Sequence, residues 1–418
     1  MVFFIITSIA AGLSNSMLFL VIARAFQGIG AGGNMALVYI VLSDVSAPEK
    51  RAKTLVLGSF VWGISSVVGP SIGGFITTYM SWRWIFFINI PIGLISLTGI
   101  TLLFSETRTK KQQVNLDIKG AVTMAGCVLC LLTFILTGGK QFPWISVPIV
   151  TLAFLTIVFG VGFIIAENRA VEPVLSLKFL KYSGFTLGNG AAFLSSFGVF
   201  SLFAYAPLFI QGALRKTPME VGYVMLTLSL GWTGAPIIIS RFIHKTTNRM
   251  AISIGAVLLT AGSGYALTFN PSTTMTECLS AFVVIGLGMG SVSICTLLVI
   301  QNTLLPKDLG VATSSQQFSR TLGGTIGVAV AGAIATGTLV SLLKSTGDKI
   351  PADVFNQVAD NMENILKPEF FTPLSQEIQG ILQSAVADSI LTVFWIVFGT
   401  AILTFVSGIL IREEKKKL

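Results

Sequence analysis

Ile390-Leu-Thr-Val-Phe-Trp-Ile-Val-Phe-Gly-Thr-Ala-Ile-Leu-Thr-Phe-Val-Ser-Gly-Ile-Leu-Ile411 contains no charged side chain and exceeds the about 20 residues that a helix needs to cross a bilayer. Ile85 to Leu103 is of the same kind. Neither stretch shows the polar–apolar alternation over about ten residues that a transmembrane β-barrel strand requires. Across the 418 residues, 53% are apolar and 11% charged, and the mean hydropathy is +0.83. Such a balance excludes a large water-soluble catalytic domain. The 42 Gly and 31 Phe fit helices packed in lipid, where small residues admit neighbouring backbones and large apolar ones meet acyl chains.

Apolar runs fall at 2–13, 17–42, 54–79, 84–104, 118–138, 147–166, 184–210, 219–240, 250–269, 276–300, 312–340 and 389–411. The sequence therefore predicts an all-α polytopic membrane protein with about twelve spans. If the first run starts in the cytoplasm, the outer segments hold only Arg83, Lys140, Arg215, Lys216, Lys344, Lys349 and Lys367. Nearly all the rest of the 27 basic residues lie inside, so both termini are expected to be cytoplasmic. The net charge of +9 thus reports topology, since no basic patch interleaved with aromatics suggests nucleic acid.

The expected organisation is a four-span bundle over 1–104, two linker spans with their loops over 105–183, and a six-helix bundle over 184–418. The last includes an outer loop, 341–388, in which Val354, Val358, Met362 and Ile365 recur at helical spacing. Met1 opens directly into apolar residues, as a severed helix would, and lacks the basic start and cleavage site of a secretory signal.

Gly28-Ile-Gly-Ala-Gly-Gly33 satisfies G-x-G-x-x-G, but no strand precedes it and it lies in an apolar run, so a dinucleotide site is excluded. Gly28 and Gly32 instead have the spacing of a helix-packing strip, with Gly30 between them. One turn earlier stand Arg24 and Gln27. A guanidinium at mid-bilayer costs about 2.5–3.5 kcal/mol on insertion scales, so Arg24 is expected to face protein or water. Arg320, in Gln316-Gln-Phe-Ser-Arg320, carries the same expectation. In the third run Pro70 breaks a helix hydrogen bond beside Gly63, Gly69, Gly73 and Gly74, which predicts a bend with a groove. Asn89-Ile-Pro91-Ile-Gly93 is expected to interrupt the fourth.

The segment Arg24–Gly33, the glycine-proline helix Gly63–Gly74 and the stretch Ser81–Gly93 resemble, in order and spacing, signatures of the major facilitator superfamily. The closest likeness is to its fourteen-span drug:proton antiporter branch, the EmrB/QacA type. Asp44 and Pro48-Glu-Lys-Arg51 resemble that branch's cytoplasmic turn, and Phe193, Tyr205, Pro207 and Gln211 its C-terminal opening helix. The resemblance implies two bundles rocking about a central cavity, driven by the proton gradient without a cofactor. It also implies that the first two family helices, with their acidic residue, are missing from this chain.

Among the acids present, Asp44 and Asp308 fall at inner ends of runs, and Glu220, Glu277 and Asp388 at outer ends. Glu220 and Glu277 join Arg24, Gln27, Gly28, Gly30, Asp44 and Arg320 as motif and coupling candidates. Phe193, Phe197, Phe200, Tyr205 and Trp232 are candidate cavity residues. No metal or catalytic site is expected. There is no phosphate-cradling G-x-x-x-x-G-K-[ST], and the single histidine, His244, lies in a basic loop. The four cysteines form no disulfide framework.

The expected function is proton-coupled export of small lipophilic, cationic compounds across the plasma membrane. The partners are then substrate, protons and lipid, and an envelope partner protein is left open. The alternatives are an inactive or sensor-like fragment of such a transporter and an uncoupled nutrient facilitator.

Overall fold

The computed structural model describes residues 1–46, 50–103, 117–139, 141–171, 173–242, 247–346 and 350–411. Side chains at several positions of 51–78, and at 240–242, 360 and 368, lie outside the description. His244, Pro48 and Glu49 also fall outside the described residues.

The described chain is nearly all helix. The helices are α1 (Val2–Gly12), α2 (Met17–Asp44), α3 (Arg51–Tyr79), α4 (Trp84–Phe87), α5 (Asn89–Leu103), α6 (Ile118–Thr137), α7 (Val147–Arg169), α8 (Ser183–Leu208), α9 (Pro218–Phe242), α10 (Asn248–Ala266), α11 (Met275–Thr303), α12 (Leu309–Ser345), α13 (Ala352–Asp360), α14 (Pro368–Phe371) and α15 (Gln376–Leu410). Nine spans among the described residues are long and apolar enough to cross a membrane, with α4 and α5 counted as one. With α1, α3 and α10 they account for each of the twelve apolar runs.

Helix is the form these runs must take, because backbone N–H and C=O groups in hydrocarbon find partners only within the segment. The starts are set by side chains that satisfy the first free N–H groups. Ser16 accepts from Phe19 N at 3.2 Å, Asp117 from Gly120 N at 2.8 Å and Thr247 from Met250 N at 3.2 Å.

Two boundaries differ from the sequence reading. The interruption of the fourth run falls at Ile88, between α4 and α5, because Pro91 sits in the first turn of α5, where proline is tolerated. The last helix begins at Gln376 rather than 389, and α12 extends to Ser345, so the segment between them is shorter than the expected 341–388. Asp388 did not end the helix because its carboxylate faces outward while Leu382, Val386 and Ile390 continue the buried stripe. Within the shortened segment Val354, Val358, Met362 and Ile365 are all buried, on α13 and a following 3-10 turn.

The chain divides into two compact units, Met1–Val114 and Asn115–Leu418, with α6 and α7 grouped in the second. In the first, α1 packs on α2, α4 and α5. In the second, α11 is central and buried along most of its length. Its glycines make this possible. A Cβ on Gly286 or Gly290 would collide with the carbonyl oxygens of Leu228 and Trp232 on α9, and one on Gly288 would strike Gly255 and Leu259 on α10. On α12, Gly323 and Gly327 meet the carbonyls of Phe193 and Phe197 on α8 in the same way. These i, i+4 glycine pairs let backbones touch, so the contact is made by main chain rather than by side chains.

At one end of the second unit, α8 passes Pro207 into a π turn over Phe209–Ala213. Arg215 follows in left-handed backbone, φ 56°. Its guanidinium lies 3.5 Å above the Phe371 ring and donates to the Ile365 carbonyl at 3.3 Å, which ties the segment after α13 to the bundle.

Gly323→Leu is expected to lower the melting temperature of the purified protein, since inserted core atoms cost about 1–3 kcal/mol or more. Gly399→Ala, at a position with no neighbour within 4 Å, leaves it unchanged. Arg215→Ala is expected to speed limited proteolysis between 346 and 375 while helix content by circular dichroism stays constant.

Candidate functional site

In the first unit the face of α2 formed by Ala23, Gln27 and Gly30 lies against α1. The Arg24 guanidinium donates to the Gln27 side-chain carbonyl at 2.7 Å, and the Gln27 amide donates to Ser8 Oγ at 3.0 Å. Ser8 also accepts from Asn89 Nδ2 at 3.0 Å and donates to the Phe86 carbonyl at 2.9 Å. Its single donor and both lone pairs are thereby used. Gln27 is 2% exposed and Ser8 fully buried, so the network replaces water inside the unit. Arg24 also lies 5.7 Å from the Phe86 ring. Arg24 itself stays exposed, with Gln27 as its hydrogen-bond acceptor.

The glycine that packs is Gly30, with the Phe4 backbone 3.0 Å from its would-be Cβ. No neighbouring helix approaches Gly28 or Gly32 within 4 Å among the described residues. The reason is phase: Ala23, Gln27 and Gly30 share the face turned to α1, and the Gly28–Gly32 pair does not. Asp44 closes α2, half-buried. Helix α3 runs unbroken from Arg51 to Tyr79. Gly69 and Gly73 have no other helix within 4 Å of their would-be Cβ atoms among the described residues, whereas the surroundings of Gly63, Pro70 and Gly74 lie outside the description.

The second unit gathers a larger constellation from α8, α9, α11 and α12. Arg320, 6% exposed, donates to Ser293 Oγ at 3.4 Å and lies 5.8 Å from the Trp232 ring. Trp232 meets Phe200 edge to face at 5.9 Å, and Phe193 and Phe197 pair at 6.2 Å one turn away along α8. Gly324 gives the Phe200 ring its place, because a Cβ there would lie 2.9 Å from Phe200 Cγ. Nearby on α12, Ser315 and Ser319 both donate to Asn189 Oδ1 at 3.1 Å, and Asn189 donates to the Phe185 carbonyl. Gln316 donates to Thr296 Oγ1 at 3.4 Å, while its own Oε1, Gln317 Oε1 and Ser196 Oγ are buried without a hydrogen-bond partner.

Of the five expected aromatics, Trp232 lies beside Arg320 and meets Phe200, while Phe193 and Phe197 pair with each other along α8. Tyr205 joins neither pair: it lies further along α8, in a separate cleft of about 660 Å³ that Trp144, Thr336 and Glu363 also line. Glu220 and Glu277 stand at helix starts. Glu220 accepts from Thr217 N and Oγ1 at 2.8 and 2.9 Å and pairs with Lys216 at 3.8 Å. Glu277 forms a capping box with Thr274, at 2.7 and 2.8 Å. The residues that sequence reasoning missed are Ser8, Asn89, Asn189, Ser293, Ser315 and Ser319. Their signal was polar side chains inside apolar runs, with 315 and 319 one turn apart. Among the described residues no three His, Cys, Asp or Glu side chains gather where a metal could bind. What the constellation offers is non-covalent: a half-buried aromatic wall, one guanidinium and amide oxygens able to accept hydrogen bonds.

Comparison with known proteins places the fold. Residues 1–328 match the family model described as Major Facilitator Superfamily. The Multidrug transporter protein MdtP of Bacillus subtilis (strain 168) is 31% identical over 99% of this chain and 81% of its own length. Multidrug resistance protein 3 of the same organism is 28% identical over 100% of this chain and 82% of its own. In structure, the human organic anion transporter MFSD10 (TETRAN) superposes with a TM-score of 0.61 over 96% of this chain and 75% of that one, at 13% identity. A multi-pass helical membrane fold, this structural likeness and the family match over most of its length place the chain in the major facilitator superfamily of transporters.

Proposed function

We propose that the protein exports lipophilic cations across the plasma membrane in exchange for protons, with both termini in the cytoplasm, as a member of the fourteen-span drug:proton branch. The observation that carries this reading is the set of aromatics Phe193, Phe197, Phe200 and Trp232 inside the second unit, in a chain similar along its length to one protein named a multidrug transporter and another named a multidrug resistance protein. Large flat rings accept apolar compounds of many shapes with little directional demand. Their quadrupoles attract cations by about 0.5–2 kcal/mol. The basic-loop asymmetry supports the orientation.

Transport by this fold needs no bond making. Substrate and proton bind two conformational states with different affinities, and that difference moves the equilibrium between them. The Arg24–Gln27–Ser8–Asn89 network and the Arg320–Ser293 contact are the polar devices inside the helices through which a change of charge would be felt. Asp44, Glu220 and Glu277 are proposed as titratable partners in coupling.

A second reading, export of lipophilic anions, is favoured by one observation: the charged group within the aromatic wall is the Arg320 guanidinium. Direct transport decides between them. Cells extrude the cation tetraphenylphosphonium if the first reading holds, and the anion tetraphenylborate if the second does.

Three outcomes are expected. A proton ionophore abolishes ethidium efflux from energised cells; efflux that persists identifies a facilitator instead. Trp232→Ala raises the half-saturating substrate concentration about five- to tenfold, the worth of one aromatic contact, while Trp232→Phe restores most of it. Arg320→Lys lowers the transport rate, because an ammonium cannot reproduce the planar fork that reaches Ser293 beside the indole.

A further inference from the structure

The cleft that holds Tyr205 is separate from the aromatic wall and has its own chemistry. It lies in the second unit between the outer ends of α8 and α12, the α6–α7 loop and the turn after α13. Its volume of about 660 Å³ falls within the usual range for drug-sized ligands, about 300–1,000 Å³. Ala204, Leu208 and Val340 supply apolar surface.

Two rings are held there by glycines. Gly139 adopts φ +74° and donates to the Phe142 carbonyl at 2.8 Å, folding the loop back on itself. Over that fold lies the Trp144 indole, 2.6 Å from a would-be Cβ on Gly138 and 2.7 Å from one on Gly139. The Phe134 ring braces it edge-on at 5.6 Å, and yet Trp144 stays 51% exposed. Across the cleft, a Cβ on Gly332 would strike the Tyr205 hydroxyl, so glycine there makes room for the phenol.

Glu363 carries the formal charge among the described lining residues. Its backbone N–H is taken by Asn361 Oδ1 at 2.9 Å, and its carboxylate has no ion-pair partner among the described residues. An unengaged carboxylate beside an exposed indole and a phenol, in a cleft with apolar walls, is a complementary set for one chemical class. A diffuse organic cation gains from the charge and the π-faces, and its apolar body gains from the walls.

We propose that this cleft is a second binding site for lipophilic organic cations, at the outer end of the bundle, with Glu363, Trp144 and Tyr205 as its recognising residues. The proposal rests on the cation-export reading and adds a place that the cation occupies apart from the aromatic wall.

The test is equilibrium binding of radiolabelled tetraphenylphosphonium to the purified full chain in lipid nanodiscs, with ethidium efflux measured in parallel. Glu363→Gln and Trp144→Ala each weaken binding about fivefold or more, Glu363→Asp retains most of it, and binding of an uncharged hydrophobe is unmoved by Glu363→Gln. Glu363→Gln removes no hydrogen bond or ion pair among the described residues, so its melting temperature stays close to that of wild type. If Glu363→Gln binds the cation as wild type does while wild-type cells export ethidium, the outer site is overturned and the export reading stands. If wild-type protein neither binds tetraphenylphosphonium nor exports ethidium, both are overturned.

Discussion

Hydrocarbon offers no hydrogen-bond partner, so polar groups carried into the helices are best answered from within the chain, and Ser196 Oγ, Gln316 Oε1 and Gln317 Oε1 are buried exceptions. The Ser8 hydroxyl shows how closely that demand is met. It is buried and joins three helical segments, spending its one proton on the Phe86 carbonyl and both lone pairs on Gln27 and Asn89. Arg24 enters the same network through Gln27. In the second unit Asn189 accepts from two serines of α12, and Arg320 reaches Ser293 across to α11. Each arrangement fixes the rotation of one helix against another, because a turn of the helix would strand a buried polar atom at a cost of about 1–3 kcal/mol.

Glycine completes what the polar contacts begin. Where Gly286 and Gly290 let α11 touch α9, and Gly323 and Gly327 let α12 touch α8, carbonyl oxygens stand where a Cβ would otherwise be. The aromatic wall depends on this closeness. Phe193 and Phe197 lie on the stretch of α8 pressed to α12, and Trp232 on the stretch of α9 pressed to α11, where it meets Phe200 and Arg320. Fold and candidate site are in this sense one construction.

Hydropathy made the helices legible because the bilayer selects for it along the whole run, and all twelve runs correspond to helices. The start of α15 was not legible, since Asp388 reads as an end until one sees that it faces out while Val386 and Ile390 face in. On α2 the G-x-x-x-G spacing draws attention to Gly28 and Gly32, whereas the contact with α1 is made at Gly30, beside Phe4, on the face that also carries the buried Gln27 amide. Arg24, Arg320 and the aromatics stood out by cost or size. Ser8, Asn89 and Asn189 did not, because one small polar residue in an apolar run looks the same whether it bonds its own backbone or a distant helix.

The two kinds of seam in the second unit have different mechanical character. Where main chain rests on main chain, as along α9, α11 and α10, there is nothing to rotate out of the way, and relative sliding requires the rods to part. The join between α8 and α9 is bridged instead by the Phe200 and Trp232 rings, which can swing between rotamers at small expense. A guest lodged against those rings would therefore meet a seam that side-chain rotation can open, whereas the main-chain seams beside it cannot yield in that way.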